Sequence, residues 1–206
     1  MDKTAYVLIG VVLGVLLNTV KEWWFQRRKS RKDLEYLTIR VACLLDTFVN
    51  SCADVVADDG LSYGQPGPDG CRSIQVVAPS FDPLAIDVEW KSLPANLMYE
   101  VLNFPNLIEN ANHKISGAFE YAASPPDYEE GFEERQLQYS NLGIKAHDLS
   151  KMLRKAGGLP ALEKPTHEEW SPAQFMVEKL AEIHDFQEQR AVRHKELMEG
   201  LNSGSA

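Results

Sequence analysis

Residues 5–32 read AYVLIGVVLGVLLNTVKEWWFQRRKSRK, and this segment decides how the chain is organised. Every residue from Ala5 to Leu17 is apolar or glycine. About 17 residues lead from Tyr6 to Trp23, or roughly 26 Å of α-helix, slightly less than the hydrocarbon core of a bilayer. Aromatic side chains are typical of both membrane–water interfaces. We therefore predict a transmembrane helix with Tyr6, Trp23 and Trp24 at its interfaces.

Two other interpretations of this segment fit less well. A cleavable signal peptide needs a small-residue cleavage site, but the residues that follow the apolar run are Asn18, Thr19 and Val20 and then charged and aromatic side chains. A buried core helix is rarely followed by a dense cluster of basic residues. We call that cluster the basic collar, and its members are Arg27, Arg28, Lys29, Arg31 and Lys32.

The basic collar predicts the orientation of the chain. Basic residues flanking a membrane helix stay in the cytoplasm, and the N-terminal tail has only Lys3. We expect a single-pass protein of the cell inner membrane, with its N-terminus outside and its body in the cytoplasm. The collar should also attract anionic lipid, by about 1 kcal/mol per residue near the surface.

Gly10, Gly14 and Asn18 recur at four-residue steps and form one stripe on the predicted membrane helix. Glycines let two helix backbones approach closely, and an amide in hydrocarbon gains from bonding to a partner amide. This pattern predicts a homo-oligomer formed through the transmembrane helix. Glycine is also common in membrane helices, and Asn18 lies near an interface, so a stripe without association explains the pattern as well.

After the collar, the sequence predicts a mainly α-helical body, a bundle of about four helices. Residues 16–58 contain no glycine or proline, and their apolar residues recur at three- and four-residue steps, so the membrane helix should continue as an amphipathic stalk. Further helices are predicted at residues 92–123, 127–156 and 171–199. Pro105 should kink or split the first of these.

The predicted organisation has five parts. They are a transmembrane anchor at 1–25, the basic collar and stalk helix at 26–58, a loop at 59–91, the helical bundle at 92–200 and a flexible tail at 201–206. Within the loop, residues 73–78 and 85–90 are candidates for extended structure. Ile86, Val88 and Trp90 alternate with acidic residues, which indicates a half-buried strand. We expect a small β-hairpin insert that lies on the helices.

Charge is distributed unevenly along the 206 residues, whose net charge is −9. Residues 1–32 hold seven basic and two acidic residues, and the remainder holds 14 basic and 28 acidic ones, which gives net charges of +5 and −14. An acidic body argues against binding to nucleic acid. Its three cysteines form no CxxC pair, so we predict free thiols and no zinc site.

No nucleotide-binding loop, GxSxG or HExxH motif occurs in the chain. Helical bundles often hold di-iron centres built from Glu-x-x-His pairs, and none is present. We therefore predict no cofactor, no metal and no catalytic residue.

One polar face stands out in the helix predicted at residues 92–123. Asn103, Asn106, Asn110 and His113 recur at 3-4-3 spacing, and Glu109 lies one turn before the histidine, where it could orient the ring. This face could line a pocket or contact a partner. The alternatives are a solvated surface or a buried network that fixes helix register.

Three functional hypotheses follow. The first is a membrane-anchored scaffold, adaptor or regulator that self-associates and binds protein partners on its acidic body. The second is a small-molecule sensor or enzyme that uses the Asn/His face. The third is a phage-related membrane effector whose associated anchors perturb the bilayer. An acidic cluster offers a docking surface for a basic partner, or else simply complements a helix dipole; its members are Asp127, Glu129, Glu130, Glu133 and Glu134.

Overall fold

The computed structural model describes the backbone of residues 3–161 and 170–203, while the side chains of residues 3–12, 15 and 200–203 lie outside the described part. Two short 3₁₀ helices, Pro83–Ala85 and Trp90–Ser92, lie between the first two α-helices. The prediction of a mainly helical bundle is confirmed. The four α-helices are α1 (Lys3–Ala57), α2 (Ala95–Tyr121), α3 (Glu129–Gly157) and α4 (Pro172–Ser203).

Helix α3 lies at the centre of the bundle, and the other three helices pack against it. It runs antiparallel to α1, because its early residue Arg135 contacts Asp58 and its late residue Arg154 contacts Asp46. The Oγ of Ser150 also donates a 2.6 Å hydrogen bond to Asp46. The first helix therefore enters the bundle at one end and finishes at the other.

The core is aliphatic around α1 and α3 and aromatic where α2 meets the loop. Phe48, Phe81 and Phe104 pack edge to face, with ring centroids 5.4 to 6.3 Å apart. Edge-to-face packing suits the charge distribution of aromatic rings and adds to the gain from burying them. The three rings join α1, the loop and α2.

The predicted ends of the later helices agree closely with the structure. Gly158 caps α3 with a φ of 68°, and its N–H bonds to the carbonyls of Arg154 and Lys155. The Oγ of Ser171 accepts a 3.4 Å hydrogen bond from the N–H of Gln174 at the start of α4. Helix α4 continues to Ser203, past the predicted end near residue 199, and residues 204–206 of the predicted tail lie outside the described part.

Of the two predicted effects of Pro105, a kink or a split, the split is wrong, because α2 is continuous from Ala95 to Tyr121. Proline removes one backbone hydrogen bond from the ladder. On either side of it, Phe104 and Ile108 are buried in the core. Burial of these side chains holds the helix together across the missing bond.

The predicted β-hairpin is also wrong, since no strand occurs in residues 3–161 or 170–203. The alternation did identify the inward side, because Ile86 is buried and Val88 and Trp90 pack against the core. The backbone N–H groups of this loop bond to aspartate side chains instead of to a second strand. Asp82 accepts hydrogen bonds from the N–H groups of two residues in the first 3₁₀ helix. Asp58 accepts three from the loop, so these N–H groups have acceptors without a partner strand.

Helix α1 continues without a break from the predicted anchor into the bundle. Its residues 13–32, where the side chains are described, are exposed, and burial begins near Asp33 and Leu34. No helix in the described part of the chain is both long and apolar enough to cross a membrane. Most of the predicted span, Ala5 to Leu17, falls on residues whose side chains lie outside that part.

Candidate functional site

The predicted Asn/His face lies on the outer surface of α2. Asn106, Glu109, Asn110 and His113 are exposed, and Asn103 is half-buried. The Nδ2 of Asn106 donates a 3.0 Å hydrogen bond to Oδ1 of Asn103. Nε2 of His113 lies 3.7 Å from a carboxylate oxygen of Glu109, one turn away, and both side chains are largely exposed.

A groove of about 470 Å³ runs between α2 and the loop residues 78–81. Glu109 and His113 line it together with Phe81, Pro105 and other residues, but Asn103, Asn106 and Asn110 do not. The structure therefore brings two of the five predicted residues to one concave surface. The groove is open, so a ligand there would stay in contact with water.

Sequence spacing missed Asn112, which also lines this groove. Its Oδ1 accepts a 2.8 Å hydrogen bond from the hydroxyl of Tyr139, a buried residue of α3. Burial raises the pKa of the Tyr139 hydroxyl, and Cys52 adds to the shift, whereas Arg135 and the bond to Asn112 oppose it. This hydrogen bond connects the groove to the core. No local sequence pattern around Asn112 predicts it.

A second groove, of about 460 Å³, lies between α4, the start of α3 and the loop. Phe132, Ile183 and Phe186 contribute its apolar surface. Five carboxylates line it against two basic side chains, Arg72 and Lys179. The carboxylates are those of Asp59, Glu129, Glu133, Glu182 and Asp185.

Several members of the predicted acidic cluster have partners within the protein. Glu133 forms an ion pair with Arg190 and accepts a 2.7 Å hydrogen bond from Gln187, both on α4. Asp127 lies 3.7 Å from Arg72. These contacts attach α4 and the loop to the start of α3, so part of the cluster is structural, in addition to its place beside a helix N-terminus.

The other predicted residues lie on α1. Gly14 has no atom within 4 Å of the position a Cβ would occupy, and Nδ2 of Asn18 donates a 3.1 Å hydrogen bond to Glu22. Trp23 and Trp24 are exposed. The side chain of Tyr6, like the position of Gly10 within its surroundings, lies outside the described residues.

Basic side chains of this segment stack on its aromatic rings. The guanidinium of Arg28 lies 4.3 Å from the ring centroid of Trp24, and that of Arg27 lies 5.2 Å from Trp23. Four of the predicted interface residues thus form two cation–aromatic pairs, each between residues one turn apart.

We also searched the described residues for metal-binding clusters and disulfide bonds. Across residues 3–161 and 170–203, no group of three or more His, Cys, Asp or Glu side chains is placed to hold a metal ion. The three cysteines are free thiols. No protein-family model, curated protein or solved structure matches this chain.

Proposed function

We propose that this protein is a membrane-anchored helical scaffold that self-associates and binds other proteins through its acidic bundle. The observation that carries this proposal is the apolar surface of α1 outside the bundle. Leu13, Leu16, Leu17 and Val20 are all at least half-exposed, and Leu17 is 69% exposed. Such a surface marks contact with a membrane or with another protein.

The sequence around this surface favours lipid over a soluble partner. The residues from Ala5 to Leu17 are apolar on every side of the helix, which is typical of a membrane span rather than of a docking helix with one apolar face. Trp23 and Trp24 follow, and then the basic collar. In this arrangement the N-terminus lies outside the cell inner membrane and the bundle lies in the cytoplasm.

Association of several copies would use the stripe of Gly10, Gly14 and Asn18. The open surroundings of Gly14 leave room for a second helix. Parallel membrane anchors would then place the bundles of neighbouring copies side by side. This supports a role in bringing partners together rather than in catalysis.

Fractionation of cells that express the full chain tests the anchor. The protein should stay with membranes after washing with high salt and alkaline carbonate and should need detergent for release. A tag after Ala206 should resist protease in intact cells. A protein released by the washes, or a tag digested from outside, would overturn the proposal.

Crosslinking in native membranes followed by mass spectrometry tests association and partners. We expect crosslinked oligomers of the full chain, and fewer of them in a variant with Gly10→Leu and Gly14→Leu. Recovery of monomer alone, without partner proteins, would contradict the scaffold role. Toxicity on overexpression that disappears with Gly14→Leu would instead favour the membrane effector.

A second candidate function is a small-molecule sensor or enzyme at the groove on α2. It is supported by the position of Glu109 and His113 on a concave surface beside Phe81. A ligand bound there should protect the amides of α2 around residue 110 from hydrogen exchange. His113→Ala should abolish that protection, while Asn106→Ala, outside the groove, should leave it unchanged.

A further inference from the structure

We propose that the segment from Trp23 to Lys32 binds the phosphate headgroups of anionic phospholipids. This inference rests on the proposed membrane anchor and names the lipid class that the anchor would prefer. Five cations of the basic collar follow two tryptophans on one exposed helix.

The collar covers more than half of the helix circumference rather than a narrow stripe. Successive residues of an α-helix are rotated by about 100°, so the five cations from Arg27 to Lys32 span about 200° of its circumference. A helix that lies flat on a membrane concentrates its basic residues on one face. So wide a spread of cations suits a helix that passes through the headgroup layer, where phosphates approach from several directions.

Few groups within the protein compete for these cations. In the described part of the chain, none of the collar residues forms an ion pair with a carboxylate; the ion pairs lie on α2, α3, α4, the end of α1 and the loop. Arg27 and Arg28 instead stack on Trp23 and Trp24. A guanidinium held over a ring keeps its edge free to donate hydrogen bonds to phosphate oxygens.

The remainder of the chain would repel the same headgroups. Residues 33–206 have a net charge of −14, against +5 for residues 1–32. An anionic surface therefore attracts the collar and repels the bundle. Both forces favour an upright α1 that holds the bundle away from the membrane surface. Because α1 continues unbroken into the core, the acidic bundle follows that orientation.

A lipid surface fits these observations better than a nucleic acid does. Tryptophans beside the cations are typical of the membrane interface, and an acidic bundle on the same rigid helix would repel a long polyanion. Each basic residue near an anionic surface strengthens the attraction about fivefold. The collar as a whole should therefore give a preference for anionic lipid of at least about fivefold.

The test uses the full chain reconstituted in phosphatidylcholine vesicles with or without phosphatidylglycerol. Electron paramagnetic resonance of spin-labelled lipids measures the association constant of phosphatidylglycerol relative to phosphatidylcholine at the protein surface. We expect a ratio of at least about five at low salt, falling towards one at high salt. A ratio near one at low salt would overturn the inference.

Two variants with equal charge changes separate the collar from net charge. In the first, all five collar residues become glutamine, and the ratio should fall towards one. In the second, five exposed cations of the bundle become glutamine, and the ratio should not fall; these are Lys91, Lys114, Lys155, Arg193 and Lys195. An equal fall in both variants would overturn the inference.

Three further outcomes are distinguishable. A chain that enters both kinds of vesicle without headgroup preference overturns this inference and leaves the anchor standing. A chain that enters neither overturns the proposed function and this inference together. Collar-dependent binding of an oligonucleotide by the detergent-solubilised chain, without a lipid preference, would assign the segment to nucleic acid instead.

Discussion

The guanidinium of Arg135 and the carboxylate of Asp58 form an ion pair inside the bundle, with Nη1 2.9 Å from Oδ2. Arg135 is 2% exposed and Asp58 is 6% exposed. The same carboxylate accepts hydrogen bonds of 3.0 Å from the N–H groups of Gly60, Gln75 and Val76. One side chain at the end of α1 thus fixes the start of α3 and two separate parts of the loop.

Replacing Asp58 should strongly destabilise the protein. Asp58→Ala would leave the buried guanidinium of Arg135 without its counterion and three loop N–H groups without an acceptor. We expect the free energy of unfolding to fall by about 3–5 kcal/mol in urea denaturation. Asp87→Ala is the control, because Asp87 is an exposed residue of the loop, and its replacement should change the stability by no more than about 0.5 kcal/mol. Equal losses in the two variants would contradict this assignment.

Two glycines in helices should respond in opposite ways to alanine. A Cβ at Gly157 would lie 2.0 Å from Oγ1 and 2.8 Å from Cβ of Thr38, a buried, β-branched residue of α1. We expect Gly157→Ala to lower the free energy of unfolding by about 1–3 kcal/mol, despite the better helix propensity of alanine. Gly117 has no atom within 4 Å of its Cβ position, so Gly117→Ala should raise it by about 0.5–1 kcal/mol. Stabilisation by both changes would refute the close packing of α1 on α3.

The stability of the bundle should depend on the protonation of His147. Burial lowers the pKa of the imidazole below its ordinary value of 6.5, and Lys151 adds to the shift while Asp148 and Asp46 oppose it. The unfolded chain therefore takes up this proton more readily than the folded chain. The contribution of neutral His147 to the free energy of unfolding is complete above pH 6.5. It is lost as the pH falls from 6.5 through the lower pKa of the folded state.

Urea denaturation across this pH range measures the effect. His147→Gln should lose less stability on acidification than the native chain, and Lys151→Gln, which removes one cause of the shift, should fall between them. Identical pH dependence in the native chain and in His147→Gln would show that the imidazole titrates alike in both states.

Much of the helical architecture was predictable because its signals are local. The glycine cap after α3 and the serine–proline start of α4 are short patterns whose geometry depends on adjacent residues. The absence of glycine and proline from residues 16–58 likewise indicated one long helix. The hairpin prediction was wrong because alternation is also a local signal. It indicates which side chains face the core but not whether a second strand is available.

The contacts that organise the bundle were not predictable from local pattern. Asp58 and Arg135 are 77 residues apart in sequence, and Tyr139 and Asn112 are 27 apart, so neither pair appears within one helix period. The Asn/His spacing correctly placed four polar side chains on one side of α2. It could not show that the loop at residues 78–81 would form a groove with a neighbouring side of the helix, which shares only His113 with that row of four.

Thiol reactivity provides an independent check on the packing of α1. Burial raises the pKa of the Cys52 thiol, and maleimides react with the thiolate, so Cys52 should stay unmodified in the folded chain. Cys43, about two and a half turns earlier and so on the opposite face, is exposed and should react quickly, which makes it an internal control. Peptide mapping by mass spectrometry distinguishes the two. Modification of both at similar rates before urea is added would contradict the position of α1 in the core.

Helix α1 is continuous from its exposed segment into the core. The rotation of the bundle about the axis of α1 is therefore fixed relative to that segment. Inserting a single alanine between Gln26 and Asp33 would turn the bundle by about 100° about the axis of α1 relative to everything before the insertion. Two insertions would turn it by about 200°, and seven would nearly restore the original phase. The number of residues in this short piece of helix therefore determines which side of the bundle a neighbouring copy would meet.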